Sequence, residues 1–146
     1  MTVYLEATQE SGRALFTRGI NGSVVMLNLL RFRKIADYSA SPQLAPQMPI
    51  TGEAAYRRYM DLTMPHLEKS GGKVLFLGKG GPFFIGPSDE KWDAAILVQQ
   101  SSLKSFLEFA SNPEYMAGVG HRTAALKDSR LLPLVEAGID EVFPKA

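Results

Sequence analysis

Six side chains in this sequence are of types that do small-molecule chemistry: Asn28, Tyr56, Tyr59, Trp92, His121 and Arg122. Asn28 interrupts an apolar run between Met26 and Leu30. A buried amide must find partners, so it is either satisfied inside the protein or aimed into a cavity. Arg122 falls on the apolar side of a helical stretch, with Tyr115, Val119 and Leu126. An inward guanidinium is costly unless paired, so it calls for a carboxylate from the protein or from a ligand, the protein's own being the simpler choice. His121 sits one position round that helix and is expected to face solvent rather than act as a base. Tyr56 and Tyr59 open a long helix, where their rings belong to the core and their hydroxyls can reach a cleft between helix and sheet. Trp92 opens a strand and is expected in core or interface packing, with a place in the cleft as the alternative. The catalytic candidates are thus Asn28, His121 and Arg122, and the candidate ligand contacts are Asn28, Tyr56, Tyr59, Trp92 and Arg122.

Composition removes several other chemistries. The chain has no cysteine, which excludes disulfides, thiolate catalysis and cysteine zinc sites. Its two histidines, His66 and His121, form no paired metal motif, and no metal or cofactor is expected. Gly78-Lys79-Gly80-Gly81 runs into Pro82-Phe83-Phe84 rather than a helix N-terminus, so it reads as a turn or bulge and not a phosphate loop. There is no Gly-x-Ser-x-Gly elbow. A formal net charge of +1, with Arg31-Phe32-Arg33-Lys34 as the longest basic run, gives no reason to expect nucleic acid or an acidic membrane as partner. The first residues lack the basic-then-apolar pattern of a signal peptide, and no stretch approaches the ~20 apolar residues that span a bilayer. A cytoplasmic protein is expected.

The elements that must position these residues fit one domain over 1–146. A helix is predicted over Thr8–Arg18, in an N-terminal extension covering 1–21. A strand follows over Ser23–Phe32. Residues 33–52, with Pro42, Pro46 and Pro49, read as a long loop of the kind that serves as a lid, binding loop or arm. The i, i+3, i+4 spacing of Tyr56, Tyr59, Met60, Thr63, Met64 and Leu67 predicts a helix over Gly52–Ser70, kinked at Pro65 and ended by Gly71-Gly72. Strands are predicted over Lys73–Gly78, with an extension near Pro82–Ile85, and over Trp92–Gln99. A helix capped by Ser101 or Ser102 breaks at Asn112-Pro113, and a second stretch runs to about Leu126. Ser129–Val135 is the last strand. Without the first helix, the order strand, helix, strand, strand, helix, strand over 22–135 is the α+β, ferredoxin-like βαββαβ arrangement: four antiparallel strands with helices on one face.

A sheet covered on one side should alternate apolar and polar residues. Here Val24, Met26, Leu30 and Phe32 oppose Val25, Leu27 and Leu29, and Trp92, Ala94, Ile96 and Val98 oppose Ala95 and Leu97. A second apolar face needs a cover. One short N-terminal helix is too small for four strands, so a homodimer through the sheet faces is expected, with Arg31 in an ion pair at the interface.

Several motifs carry a family resemblance. They are Ala55-Tyr56-Arg57-Arg58-Tyr59-Met60, Gly71-Gly72-Lys73-Val74-Leu75, Gly78, Trp92-Asp93 before Ile96-Leu97-Val98, Ser101-Ser102, Asn112-Pro113-Glu114-Tyr115 and Arg122. In order and spacing they resemble the domain-of-unknown-function family thirteen-thirty over about 53–135 and the strand at Val24–Phe32. That resemblance implies the dimeric α/β-barrel form of the ferredoxin-like fold. The family usually carries an acidic residue at the end of the third strand, where this chain has Gln99-Gln100. The order Asn28, Trp92, His121 is also similar to that of haem-degrading monooxygenases of the same superfamily, although His121 lies a whole helix further along.

Two functions follow as expectations. One is a cofactor-independent enzyme, monooxygenase- or isomerase-like, acting on a small, partly apolar molecule. The other is a non-catalytic ligand-binding or assembly module built from the same groups.

Overall fold

The computed structural model describes residues 2–146. Helix α1 spans Gln9–Thr17, and the Thr8 side chain caps it by accepting from the Ser11 N–H. Strand β1 spans Val24–Phe32. Helix α2 spans Gly52–Lys69, capped by Thr51, and continues unbroken through Pro65. Strands β2 (Lys73–Pro82) and β3 (Lys91–Gln100) form a hairpin. Helices α3 (Leu103–Ala110) and α4 (Pro113–Ala125) begin at Ser102 and Asn112, whose side chains accept from N–H groups of the first turn. Strand β4 spans Leu126–Leu134, and a last short helix, α5, spans Ile139–Val142.

The strands form one antiparallel sheet in the order β2-β3-β1-β4, the ferredoxin-like order expected from the sequence. Directly paired residues share a face, so the register fixes the faces. Asn28 pairs with Ile96 and Leu131, which puts it on the helix-covered side. Leu27 pairs with Leu97 and Leu132, and Leu97 with Phe76, on the other side. There Leu27, Leu29 and Leu97 are only half-buried, and Phe76, Leu132 and Leu134 are exposed. The helix-side core joins Leu30 and Ile96 to Ala55, Tyr56 and Tyr59 of α2 and to Ala124 and Ala125 of α4.

Two boundaries differ from the sequence reading. The second strand extends to Pro82, with a register shift between Val74 and Phe76, so the Gly-rich run belongs to a bulged edge strand. The last strand starts at Leu126, three residues before Ser129. Helix α4 passes straight into it because a neighbouring segment satisfies its last carbonyls: Arg33 N–H donates to Ala125 and Asp37 N–H to Ala124.

That segment is the Pro-rich stretch, and it is no free arm. It contains a 3₁₀ turn at Pro42–Leu44, closes on itself through Ala36 N–H to Ile50, and packs on α4. A side chain at Gly120 would come within 2.6 Å of Ser41 Oγ. A side chain at Gly52 would come within 2.3 Å of the Arg33 carbonyl and 2.6 Å of the Ala125 carbonyl, so the loop and two helix ends meet at a point with room only for glycine. No helix of the described residues is long and apolar enough to cross a membrane.

Candidate functional site

The chain leaves a cavity of about 1050 Å³ between the sheet and the helices. Strands β1, β3 and β4 floor it with Met26, Asn28, Ile96, Val98, Gln100 and Ser129. Helices α2 and α4 wall it with Tyr56, Tyr59, Met60, Tyr115 and Arg122. The arm from Tyr4 to Arg18, including α1, roofs it. The N-terminal helix therefore covers the helix side of the sheet and leaves the other face open.

Long-range hydrogen bonds tie the arm down. Ser129 N–H and Oγ both donate to the Tyr4 carbonyl, at 3.0 and 2.6 Å. Tyr4 N–H donates to Asp128 at 2.9 Å. Arg18 donates to the Pro133 carbonyl at 2.8 Å. Burial alone would raise the Asp128 pKa, but hydrogen bonds from Tyr4 N–H, Arg130 and Ser129 N–H outweigh it and hold the carboxyl below its ordinary value. None of the residues of α1 itself is buried, so it rests on the cavity without an apolar face of its own locked into the core.

Four of the predicted contacts line this cavity: Asn28, Tyr56, Tyr59 and Arg122. Asn28 makes one local bond, from Nδ2 to the Met26 carbonyl at 3.3 Å. Among the described residues its Oδ1 accepts no hydrogen bond. Tyr59 and Tyr115 share a hydroxyl–hydroxyl bond of 2.9 Å. Burial pushes the Tyr56 hydroxyl up to about 12, against a smaller opposing pull from nearby Arg122. Burial, and then Tyr115 and Tyr56, push Tyr59 well above the usual tyrosine value. At neutral pH these phenols are neutral hydrogen-bonding groups, not bases.

Arg122 differs from its expected pairing with a protein carboxylate. Nη1 donates to the Leu5 carbonyl at 2.7 Å, and Nη2 makes only a 3.5 Å contact with Ser129 Oγ. No ion pair to Arg122 occurs among the described residues. Asn28 is a diagonal neighbour of Ser129 on the same sheet face, a separation of about 7–8 Å, so the amide and the guanidinium serve the same end of the cavity.

Trp92 and His121 are not brought to this place. Trp92 is buried outside the lining, with the guanidinium carbons of Arg31 and Arg130 at 5.2 and 5.0 Å from its ring and its Nε1–H donating to Glu90. Within the chain, Arg31 donates to the Lys91 carbonyl and stacks on this tryptophan. His121 does not face solvent. It is 6% exposed, and its Nδ1 lies 2.7 Å from the Tyr38 hydroxyl. Burial, and then Arg58, hold its pKa below the ordinary histidine value. The asparagine, tryptophan and histidine therefore form no common site. Gln100 was missed as a site residue: it is 1% exposed, lines the cavity, and its amide nitrogen donates to no protein acceptor among the described residues. Its position at the end of an apolar strand was the signal available.

The fold and cavity define an α+β ferredoxin-like domain with a ligand-sized chamber under an N-terminal roof. No family model matches the chain, and no curated protein matches it. Two crystal structures of one Rhodopseudomonas palustris protein of unknown function, one of them of the methylated protein, are similar to it throughout. Both are 35% identical to it, with TM-scores of 0.82 and 0.81; the first match covers 95% of this chain and 98% of that one, the second 94% and 99%. The chain belongs to the same family as that Rhodopseudomonas palustris protein. A Bacteroides fragilis protein of unknown function, described as dimeric and ferredoxin-like, is 12% identical, with a TM-score of 0.45 over 77% of this chain and 94% of that one.

Proposed function

We propose that this chain binds a small, partly apolar organic molecule in the chamber beneath α1. The observation that supports this reading is the convergence of Asn28, Tyr56, Tyr59 and Arg122 on a mainly apolar cavity of about 1050 Å³. Ligand chambers of this kind combine apolar walls with a few polar groups that fix orientation. Ligand binding is favoured over proton-transfer chemistry because His121 lies elsewhere and the tyrosines are held protonated. A thermal-shift screen of small organic molecules tests it: hits should stabilise the wild type and lose their effect in a chamber-filling Val98→Trp variant. Hits that stabilise both equally would remove the chamber as the site.

One observation favours a second reading, a cofactor-independent enzyme. Neutral phenols and a guanidinium in one mainly apolar chamber can polarise a carbonyl and stabilise the oxyanion that develops from it. Turnover of a thermal-shift hit, lost in Tyr59→Phe and Arg122→Gln, would separate enzyme from binder.

We further infer that a second copy of the chain covers the open sheet face, as in the dimeric α/β-barrel arrangement of the thirteen-thirty resemblance. Leu27, Leu29, Leu97, Phe76, Leu132 and Leu134 give that face a contiguous apolar centre that nothing in the chain covers. Light scattering at micromolar concentration should give twice the chain mass, and Leu29→Lys should give the single-chain mass. A wild type that scatters as one chain would end this proposal.

A further inference from the structure

We propose that the occupant of the chamber is an elongated amphipathic monocarboxylate, its carboxylate at Arg122 and its apolar body running along β1 toward Gln100; this rests on the ligand-binding reading above. The first observation is the state of Arg122. Its Nη1 is used by the Leu5 carbonyl and its Nη2 has one long contact with Ser129; its other neighbour is the neutral Tyr56 hydroxyl, and among the described residues no carboxylate pairs with it. A guanidinium in a partly dry site is poorly satisfied by a neutral carbonyl and a distant hydroxyl, and a carboxylate is its best-matched partner.

Charge around the chamber points the same way. Three arginines line it, Arg18, Arg122 and Arg130, against a single carboxylate, Glu6, which is exposed on the arm. Arg130 is already paired with Asp128, and Arg18 is spent on the Pro133 carbonyl. Arg122 is the guanidinium left to meet an incoming anion. Asn28 and the Tyr56 hydroxyl lie at the same end and add neutral hydrogen-bonding capacity.

The shape of the chamber sets the body of the ligand. Ser129, beside Arg122, is paired with Leu30, while Gln100 is paired with Val24. Leu30 and Val24 lie six positions apart on β1, about 20 Å at ~3.3 Å per residue. The lining also carries an apolar and adaptable set: Met26, Met60, Met64, Leu67, Val98 and Phe106. Methionines fill irregular gaps and accommodate flexible chains better than branched residues do. A short acid such as acetate would fill only the Arg122 end. An acid with an extended chain would use the whole length and place its far end near Gln100, whose amide would suit a terminal oxygen.

Titration calorimetry with the intact chain tests this, using sodium acetate, sodium decanoate, 1-decanol and decyltrimethylammonium below their aggregation concentrations. Decanoate should bind at least tenfold more tightly than decanol, and acetate and the cation should not bind measurably. Arg122→Gln should bring decanoate down to the level of decanol, and Arg122→Lys should keep part of the difference. Met64→Trp, which fills the apolar run, should weaken decanoate and decanol together. The comparison of ligands on the wild type does not depend on any variant folding. Equal binding of decanol and decanoate would overturn the carboxylate assignment while leaving the chamber as a binding site. Equal binding of acetate and decanoate would overturn the apolar body. No binding by any probe, together with no stabilising hit in the wider screen, would remove the chamber reading itself.

Discussion

The Tyr38 hydroxyl lies 2.7 Å from Nδ1 of His121, joining the Pro-rich loop to the inner side of α4. Burial raises the pKa of the phenol and lowers that of the imidazole, so the contact is a hydrogen bond between two neutral groups. The contact fastens the 33–52 segment to α4. The same segment satisfies the last carbonyls of α4, so its attachment also holds the helix that carries Arg122.

The pairing gives the segment a pH dependence. The folded pKa of His121 is lowered, so the unfolded chain takes up the proton first as pH falls. The contribution to stability is complete above about 6.5, the unfolded value, and is lost as pH falls from there through the folded value. Protection of the Ala36 and Asp37 amides against hydrogen exchange, relative to the intrinsic rate at each pH, should fall over that window in the wild type. Tyr38→Phe should speed exchange even at pH 7.5, by about fivefold for a hydrogen bond of roughly 1 kcal/mol.

Asp128 governs the roof in a different window. Its carboxyl is held below the ordinary value by Tyr4 N–H, Arg130 and Ser129 N–H, so that stability is present above 3.8 and is lost as pH falls below it. Asp128→Asn should loosen the arm at neutral pH. Limited proteolysis between Leu5 and Gly19 is the measurement, and cleavage should rise in the variant while the core over 22–135 stays intact.

Tyr56 sets a limit at the alkaline end. Its pKa is raised to about 12 from 10.0, so the unfolded chain ionises first, and the contribution is present below pH 10 and lost as pH rises toward 12. Ultraviolet titration of the phenols should show a late-ionising fraction, to which buried Tyr59 also contributes, and that fraction should shrink by one phenol in Tyr56→Phe.

Gly52 tests the meeting point of loop and helix ends. An added methyl would press on the carbonyl oxygens of Arg33 and Ala125, which are backbone atoms and cannot swing away. Gly52→Ala should cost at least about 1–3 kcal/mol, the range for overpacking, although alanine is the better helix former. Gly12→Ala meets nothing within 4 Å and should be neutral or slightly stabilising. Urea midpoints of the two variants give the comparison.

The sequence by itself determined the elements and their order, because periodicity and capping are local. Ser102, for one, caps a helix start that depends only on neighbouring N–H groups. The apolar residues on both faces of β1 and β3 were equally legible, since alternation along a strand needs no partner to be read. Tyr56, Tyr59, Asn28 and Arg122 could be picked out as inward polar groups for the same reason. Tertiary structure alone decided what those groups meet. His121 and Arg122 are adjacent in sequence, yet one turns to Tyr38 and the other to the Leu5 carbonyl, 117 positions away. Trp92 of β3 sits between two arginines because the next two strands across the sheet, β1 and β4, deliver them there, a register no single strand encodes. The roof over the chamber depends on hydrogen bonds between Tyr4 and residues 128 and 129, and such long-range pairing leaves no periodic trace in the chain.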